Sequence, residues 1–304
     1  MTDPPTIPPT IPPTIPPTIP PTIPPNDGLP AAGEASAVRW AVDGPVATVW
    51  LHRPHRHNAW TGKMHAEYRQ VMADLEHRNG VRAVVVTGTP PAFCVGGDSA
   101  ALAGHVDKGG YDTGLPPEVA QPGGGDRLDA DFAWQLGYRL PIIAAVNGAC
   151  AGVGLALALF SDLRFGAAAA KLTTAAPKLG LPAEYGMSWT LPRLVGVARA
   201  TDLLLSGRIV TVANTADWGL WNGVEADGDA SLAAAQQYAR DLAASTGPLA
   251  VATTKQQIAD DLLRHDPAQS VNDSIRLLDV AMGTAEYAEG IAALREKRPP
   301  NFSL

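Results

Sequence analysis

A chain of 304 residues, 46% hydrophobic and 17% charged, is long enough to bury one large core with a small extension. Its 23 basic and 30 acidic side chains leave a net charge of −7. That argues against a general nucleic-acid binder, although a local basic patch can still hold a nucleotide phosphate. The two cysteines, Cys94 and Cys150, lie in predicted buried turns rather than in a secreted disulfide framework. The N-terminus has neither the basic leader nor the continuous apolar core of a secretory signal, so a cytosolic protein without a membrane partner is expected.

Thr6-Ile7-Pro8-Pro9 begins five consecutive Thr-Ile-Pro-Pro copies ending at Pro25. Proline fixes φ, removes an amide donor and restricts the residue before it, so residues 1–30 are expected to be a disordered, extended tail outside the core. Val38–Trp50 reads as two short strands around Asp43-Gly44. After a turn through His55–Asn58, a helix is expected over Gly62–Glu76, with Met64, Tyr68, Val71 and Leu75 on one face. Val81–Thr87 returns as a buried strand. Residues 105–128 are rich in Gly, Asp and Pro, and form either an irregular pocket entrance or an exposed insertion. Phe132, Trp134, Leu136 and Tyr138 have mixed spacing, which favours core or pocket-wall packing over an aromatic recognition box.

Pro141–Val146 is the strand feeding Asn147–Asp162. The run Ile142–Phe160 comes nearest to a membrane span, but Asn147, Gly148, Gly152 and Gly154 divide it into strand, turn and helix. Leu163–Phe165 and Lys171–Thr174 read as short strands, and Pro192–Val195 as a connection. Helices are expected near Ser231–Ala244, Ala252–Leu263 and Val271–Ala292, with apolar faces that close one domain or pack against a neighbouring subunit. The alternation of strands and helices gives an α/β fold class.

Two small-residue turns follow strands: Phe93-Cys94-Val95-Gly96-Gly97-Asp98 and the stretch beginning Asn147-Gly148-Ala149-Cys150-Ala151-Gly152-Val153-Gly154. Such turns let backbone N–H groups converge where negative charge develops, one donor from each turn. The alternative is two tight packing turns in an α/β core.

These turns carry a resemblance. The chain resembles the crotonase superfamily, the enoyl-CoA hydratase/isomerase family, whose turns usually read Ala-Phe-Cys-Ala-Gly-Ala-Asp and Asn-Gly-x-Ala-x-Gly-Gly-Gly-x-Glu. The likeness runs from about Val38 to the carboxyl end and includes Leu51-His52-Arg53-Pro54, Asn58-Ala59 and Leu191-Pro192-Arg193-Leu194-Val195-Gly196. It implies a crotonase-like ββα spiral over 31–230 and a C-terminal helical trimerisation region over 231–304. It also implies an acyl-CoA thioester substrate, with coenzyme A entering as part of the substrate and no separate cofactor. A homotrimer or dimer of trimers is the expected assembly.

By the same resemblance the oxyanion amides are those of Gly97 and Val153. Valine here replaces a glycine, keeping the N–H but adding a β-branch. The two hydratase glutamates fall on Ala156 and Ala176, which argues against paired-glutamate hydration. Glu184, in Gly180-Leu181-Pro182-Ala183-Glu184-Tyr185-Gly186, stands where dienoyl-CoA isomerases carry a catalytic Asp and some acyl-CoA hydrolases an acid, although the second acid of those isomerases also falls on Ala176. Glu184 is thus a candidate proton acceptor, with a loop hydrogen bond or an interface salt bridge as alternatives.

The expected activity is proton transfer or double-bond isomerisation, by an isomerase or lyase. Thioester hydrolysis and a non-catalytic acyl-CoA-binding or assembly role stand as alternatives. Asp98 is expected to fix its loop by accepting backbone hydrogen bonds, and Asp162 to end or anchor the central helix. Tyr185 orients Glu184, bonds substrate or packs at an interface. Arg56, the backbone around Ala59, and Lys255 are candidates for receiving the CoA nucleotide, both bases being equally compatible with a solvated surface. The turn His52-Arg53-Pro54-His55-Arg56-His57 lacks a metal-ligand set, and no metal is expected.

Overall fold

A computed structural model describes residues 36–100, 103, 121–123 and 128–302. The Thr-Ile-Pro-Pro tail and most of the irregular 105–128 segment lie outside the described residues. The strands are β1 (Val38–Asp43), β2 (Val46–Leu51), β3 (Ala83–Gly88), β4 (Ala92–Cys94), β5 (Ile142–Val146), β6 (Ala149–Ala151), β7 (Leu163–Ala167), β8 (Lys171–Thr173), β9 (Val210–Thr211) and β10 (Gly223–Glu225). They form a six-stranded sheet in the order β1-β2-β3-β5-β7-β10 and a four-stranded one in the order β4-β6-β8-β9.

Three times the chain lays a strand in the first sheet and then a short one in the second: β3 then β4, β5 then β6, β7 then β8. This is the ββα spiral expected from the resemblance. Beyond the β1–β2 hairpin, the neighbours in the larger sheet are parallel, as crossover connections require.

Two-residue alternation fixes what each strand faces. From β3, Val84 and Val86 enter the main core with Val49 and Ala144. Ala83 and Val85 point to the other face, where Ala235 and Ala239 of a long helix cover them. Helix α1 (Gly62–Glu76) starts where the Thr61 side chain accepts from Met64 N–H, and its stripe Met64, Tyr68, Val71 and Leu75 is fully buried as expected. Helix α2 (Val153–Leu159) is buried along its whole length.

Two expectations need correction. Pro192–Val195 is not a connection but the end of helix α3 (Met187–Val195), which Gly196 separates from α4 (Val197–Ser206). The proline sacrifices a backbone bond inside the helix, while Met187, Thr190, Leu191 and Val195 bury the face that keeps the helix in place. The C-terminal run contains α5 (Gly228–Ser245), α6 (Pro248–Leu262), α7 (Pro267–Met282) and α8 (Ala285–Glu296). The single helix expected over Val271–Ala292 is therefore two, broken at Gly283-Thr284, where the Thr284 hydroxyl accepts from Tyr287 N–H and caps a new start.

Within one chain α7 buries none of its residues, and Val271, Ile275, Leu278 and Met282 are all more than half exposed. Among the described residues no helix is long and apolar enough to cross a membrane.

Candidate active site

The two small-residue turns leave the ends of neighbouring parallel strands, β4 and β6, paired through Ala92↔Ala149 and Cys94↔Cys150. Gly96 (φ 103°) and Gly152 (φ 50°) take backbone conformations that disfavour side chains, and a Cβ on Gly152 would lie 3.7 Å from Gly96 Cα. Trp60 locks the first turn from outside. Its N–H donates to Gly96 O at 2.8 Å, and its carbonyl accepts from Asp98 N–H at 2.9 Å.

The Gly97 N–H, between these bonds, has no acceptor among the described residues. Nor does that of Val153, the first residue of α2, whose N–H falls outside the helical ladder. The structure thus brings the two amides onto adjoining turns.

How little room these turns have is seen at Gly154. A Cβ there would sit 2.4 Å from Cys94 O and 2.6 Å from Cys94 Cβ. Gly154→Ala is expected to push the turns apart, costing about 1–3 kcal/mol as overpacking does and most of any turnover that uses these turns. Chemical denaturation and steady-state rates check both effects; unchanged turnover would contradict this account of the turns. Burial drives the Cys94 thiol up to about 12, so it stays protonated and is no nucleophile near neutrality.

Asp98 sits behind the first turn as an anchor. Its carboxylate accepts from Arg53 Nη1 at 3.0 Å and from Ala100 N–H at 2.9 Å, with Arg56 Nε at 3.7 Å. Burial pushes this carboxyl up, but those hydrogen bonds and the two guanidinium charges outweigh burial and hold it below its ordinary value. Arg53 also donates to Ala59 O at 2.6 Å, while Ala59 N–H donates to Arg56 O. The backbone around Ala59 is therefore engaged in its own turn, with the Arg56 side chain half exposed beside it.

Glu184 lines a cavity of about 500 Å³ together with Ala130, Asp131, Phe160, Leu181 and Tyr185. The carboxyl is half buried, and desolvation raises its pKa above the usual glutamate range. Its loop carries positive φ at Ala175 (60°), Gly180 (73°), Tyr185 (47°) and Gly186 (70°). Strain at non-glycine positions persists only where packing over-determines it. The Tyr185 ring meets Phe132 edge-on at 5.6 Å, and Phe132 meets Trp60 at 5.4 Å. An aromatic line thus joins the Glu184 loop to the residue that locks the Gly96-Gly97 turn. Ala156 and Ala176 are both buried, and neither side chain can exchange a proton.

A larger cavity, about 730 Å³, lies under α5 and α6, with Phe160 as a wall common to both cavities. Neither cavity is lined by the two turns, but the smaller one is lined by Glu184 and is therefore the better candidate for chemistry. Lys255 borders the larger one, but its Nζ is buried and donates to Asp162 Oδ2 at 2.6 Å and to Leu140 O at 3.0 Å. The solvated-surface reading of Lys255 is thereby corrected: its ammonium points inward and ties α6 to the ends of β5 and β7. Asp162 anchors β5 and α6 rather than the central helix: its carboxylate accepts from Ile142 N–H at 2.7 Å as well as from Lys255.

Sequence reasoning did not single out Asp131 or Phe160, which reach the Glu184 cavity from loop and helix-end positions with no periodicity of their own.

The family model described as enoyl-CoA hydratase/isomerase matches residues 42–303. The 1,2-epoxyphenylacetyl-CoA isomerase of Escherichia coli (strain K12) is 34% identical over 268 residues, covering 86% of this chain and 96% of the relative. An enoyl-CoA hydratase of Alternaria alternata is 29% identical over 269 residues, covering 86% and 85%. The crystal structure of an enoyl-CoA hydratase from Polaromonas sp. JS666 superposes with a TM-score of 0.75 at 27% identity, covering 87% of this chain and 98% of that one.

Proposed function

The chain belongs to the enoyl-CoA hydratase/isomerase family, and we propose that it exchanges protons on an acyl-CoA thioester and migrates a double bond. The observation that carries this reading is the pair of uncommitted amides, Gly97 and Val153, on adjoining turns. The thioester oxygen accepts from both, and its charge grows as a proton leaves the acyl chain, so the bonds strengthen toward the enolate. Each such donor is worth about 3–4 kcal/mol of transition-state stabilisation.

Glu184 takes the proton. Desolvation makes its carboxylate a stronger base than an exposed glutamate. Hydration is the weaker reading, because the positions where hydratases of this family resemblance carry glutamates hold buried Ala156 and Ala176. Relatives named isomerase and hydratase both match the chain, so the choice between these reactions rests on this argument.

An acyl-CoA panel tests it, monitored separately for hydration, double-bond migration, solvent-deuterium incorporation and free CoA. Migration and exchange are expected. Efficient stereospecific water addition would overturn the preference, glutamate-dependent CoA release would make the enzyme a hydrolase, and tight analogue binding without turnover would make it a binding protein. The bare apolar face of α7 supports the further reading that copies of the chain assemble, as a trimer or dimer of trimers. A single monomeric boundary in sedimentation velocity would reject that reading.

A further inference from the structure

The Glu184 cavity has a second carboxyl on its wall, Asp131, and behind it stands a histidine with an unmet need. His65 is 4% exposed, stacked on Phe132 at 5.7 Å and edge-on to Trp60 at 5.7 Å. Its Nε2 has no hydrogen-bond partner among the described residues and lies 3.5 Å from Asp131 Oδ1. A buried ring nitrogen is costly to leave unbonded, and catalytic contacts are often long before substrate arrives. The nitrogen thus lies beside a carboxyl that also lines the cavity. Nearby, the Arg69 guanidinium engages Asp129 at 2.7 Å, so an ion pair holds the far side of the loop while Asp131 keeps the cavity side.

We propose that Asp131, backed by His65, is the second proton-transfer group of the cavity, working with Glu184. The inference rests on the proton-exchange reading given above and supplies its second half. Moving a double bond takes a proton from one carbon and delivers one to another, which two carboxyl groups on the wall of one cavity can do, one as base and one as acid. Glu184 as carboxylate takes the first proton. The C–H electron pair moves into the conjugated chain and onto the thioester oxygen. Asp131 as acid protonates the second carbon as that pair returns. Glu184 is then the acid and Asp131 the carboxylate, and one proton passing between them through the cavity restores the start. His65 is a positioning residue: its ring fixes Asp131 and accepts or donates as that carboxyl changes state.

The test uses trans-3-hexenoyl-CoA in deuterated water with the full chain and Asp131→Asn, His65→Gln and Glu184→Gln variants. Asp131→Asn is expected to bind substrate and to keep deuterium exchange at the first carbon, while migration falls by about 10²-fold or more. His65→Gln is expected to reduce kcat with KM unchanged and to move the pH profile, because burial lowers the pKa of that ring, Arg69 adding to the shift and Asp131 opposing it. Asp131→Asn that migrates the double bond normally, that loses exchange and migration together, or that only loses binding overturns the assignment. Glu184→Gln that still exchanges defeats the underlying reading instead, and a parent enzyme that neither exchanges nor migrates defeats both.

Discussion

Glu184→Gln is expected to fold and bind acyl-CoA like the parent while losing proton exchange and double-bond migration by about 10²–10⁴-fold, the usual worth of a positioned acid or base. The amide keeps the size and half-buried seat of the carboxyl but has no basic oxygen. Stability moves the other way. Burial raises the Glu184 pKa, so the folded state favours the protonated form, and the stability this group contributes is lost as pH rises through that raised value. Glutamine carries no such penalty, and the variant should be at least as stable as the parent at neutral pH. The parent's rate should fall on acidification at a pH above the ordinary glutamate value of about 4.3, since the carboxylate is the working form. Single-turnover assays and a pH-rate profile measure both. An unchanged rate in the glutamine variant would remove Glu184 from the chemistry.

Asp162→Ala should be the most destabilising single change outside the core, by about 3–5 kcal/mol, because it strands a buried ammonium. Lys255 Nζ then keeps the Leu140 carbonyl, the Tyr138 ring 5.7 Å away and the more distant charge of Glu76. Burial already lowers the Lys255 pKa, with Asp162 opposing that shift. In the parent, stability should therefore rise with pH between the lowered folded value and the ordinary lysine value of about 10.4. Without Asp162 the folded value drops further, and this rising window extends toward neutrality. Lys255→Met added to Asp162→Ala should recover much of the loss, since an apolar side chain fits this seat without a charge. Urea titrations across pH measure all three proteins. Equal stability of single variant and parent would show that the pair is no structural tie.

Much of this architecture was legible along the chain. The Met64, Tyr68, Val71, Leu75 stripe marked α1 to its residues, because a 3.6-residue period is a local property. The two glycine turns were visible for the same reason: a backbone that must take positive φ or approach another backbone leaves few residue choices. Where local rules compete, the reading failed. Pro192 looked like a break, yet the buried face of α3 outweighed its missing bond, and the run expected as one helix over Val271–Ala292 holds a cap at Thr284 that makes it two.

By itself the sequence determined the family, the alternation of strands and helices, the two small-residue turns and Glu184 as a candidate acid, since each is read from a short local motif. Only the tertiary structure decided which groups share a cavity with Glu184 and what Lys255 does. Asp131 and His65 are 66 positions apart and belong to different elements; Lys255 and Asp162 are 93 apart. Whether such charges meet, and whether water reaches them when they do, depends on how the sheets and helices pack around them, and desolvation and Coulomb energies have no counterpart in sequence spacing.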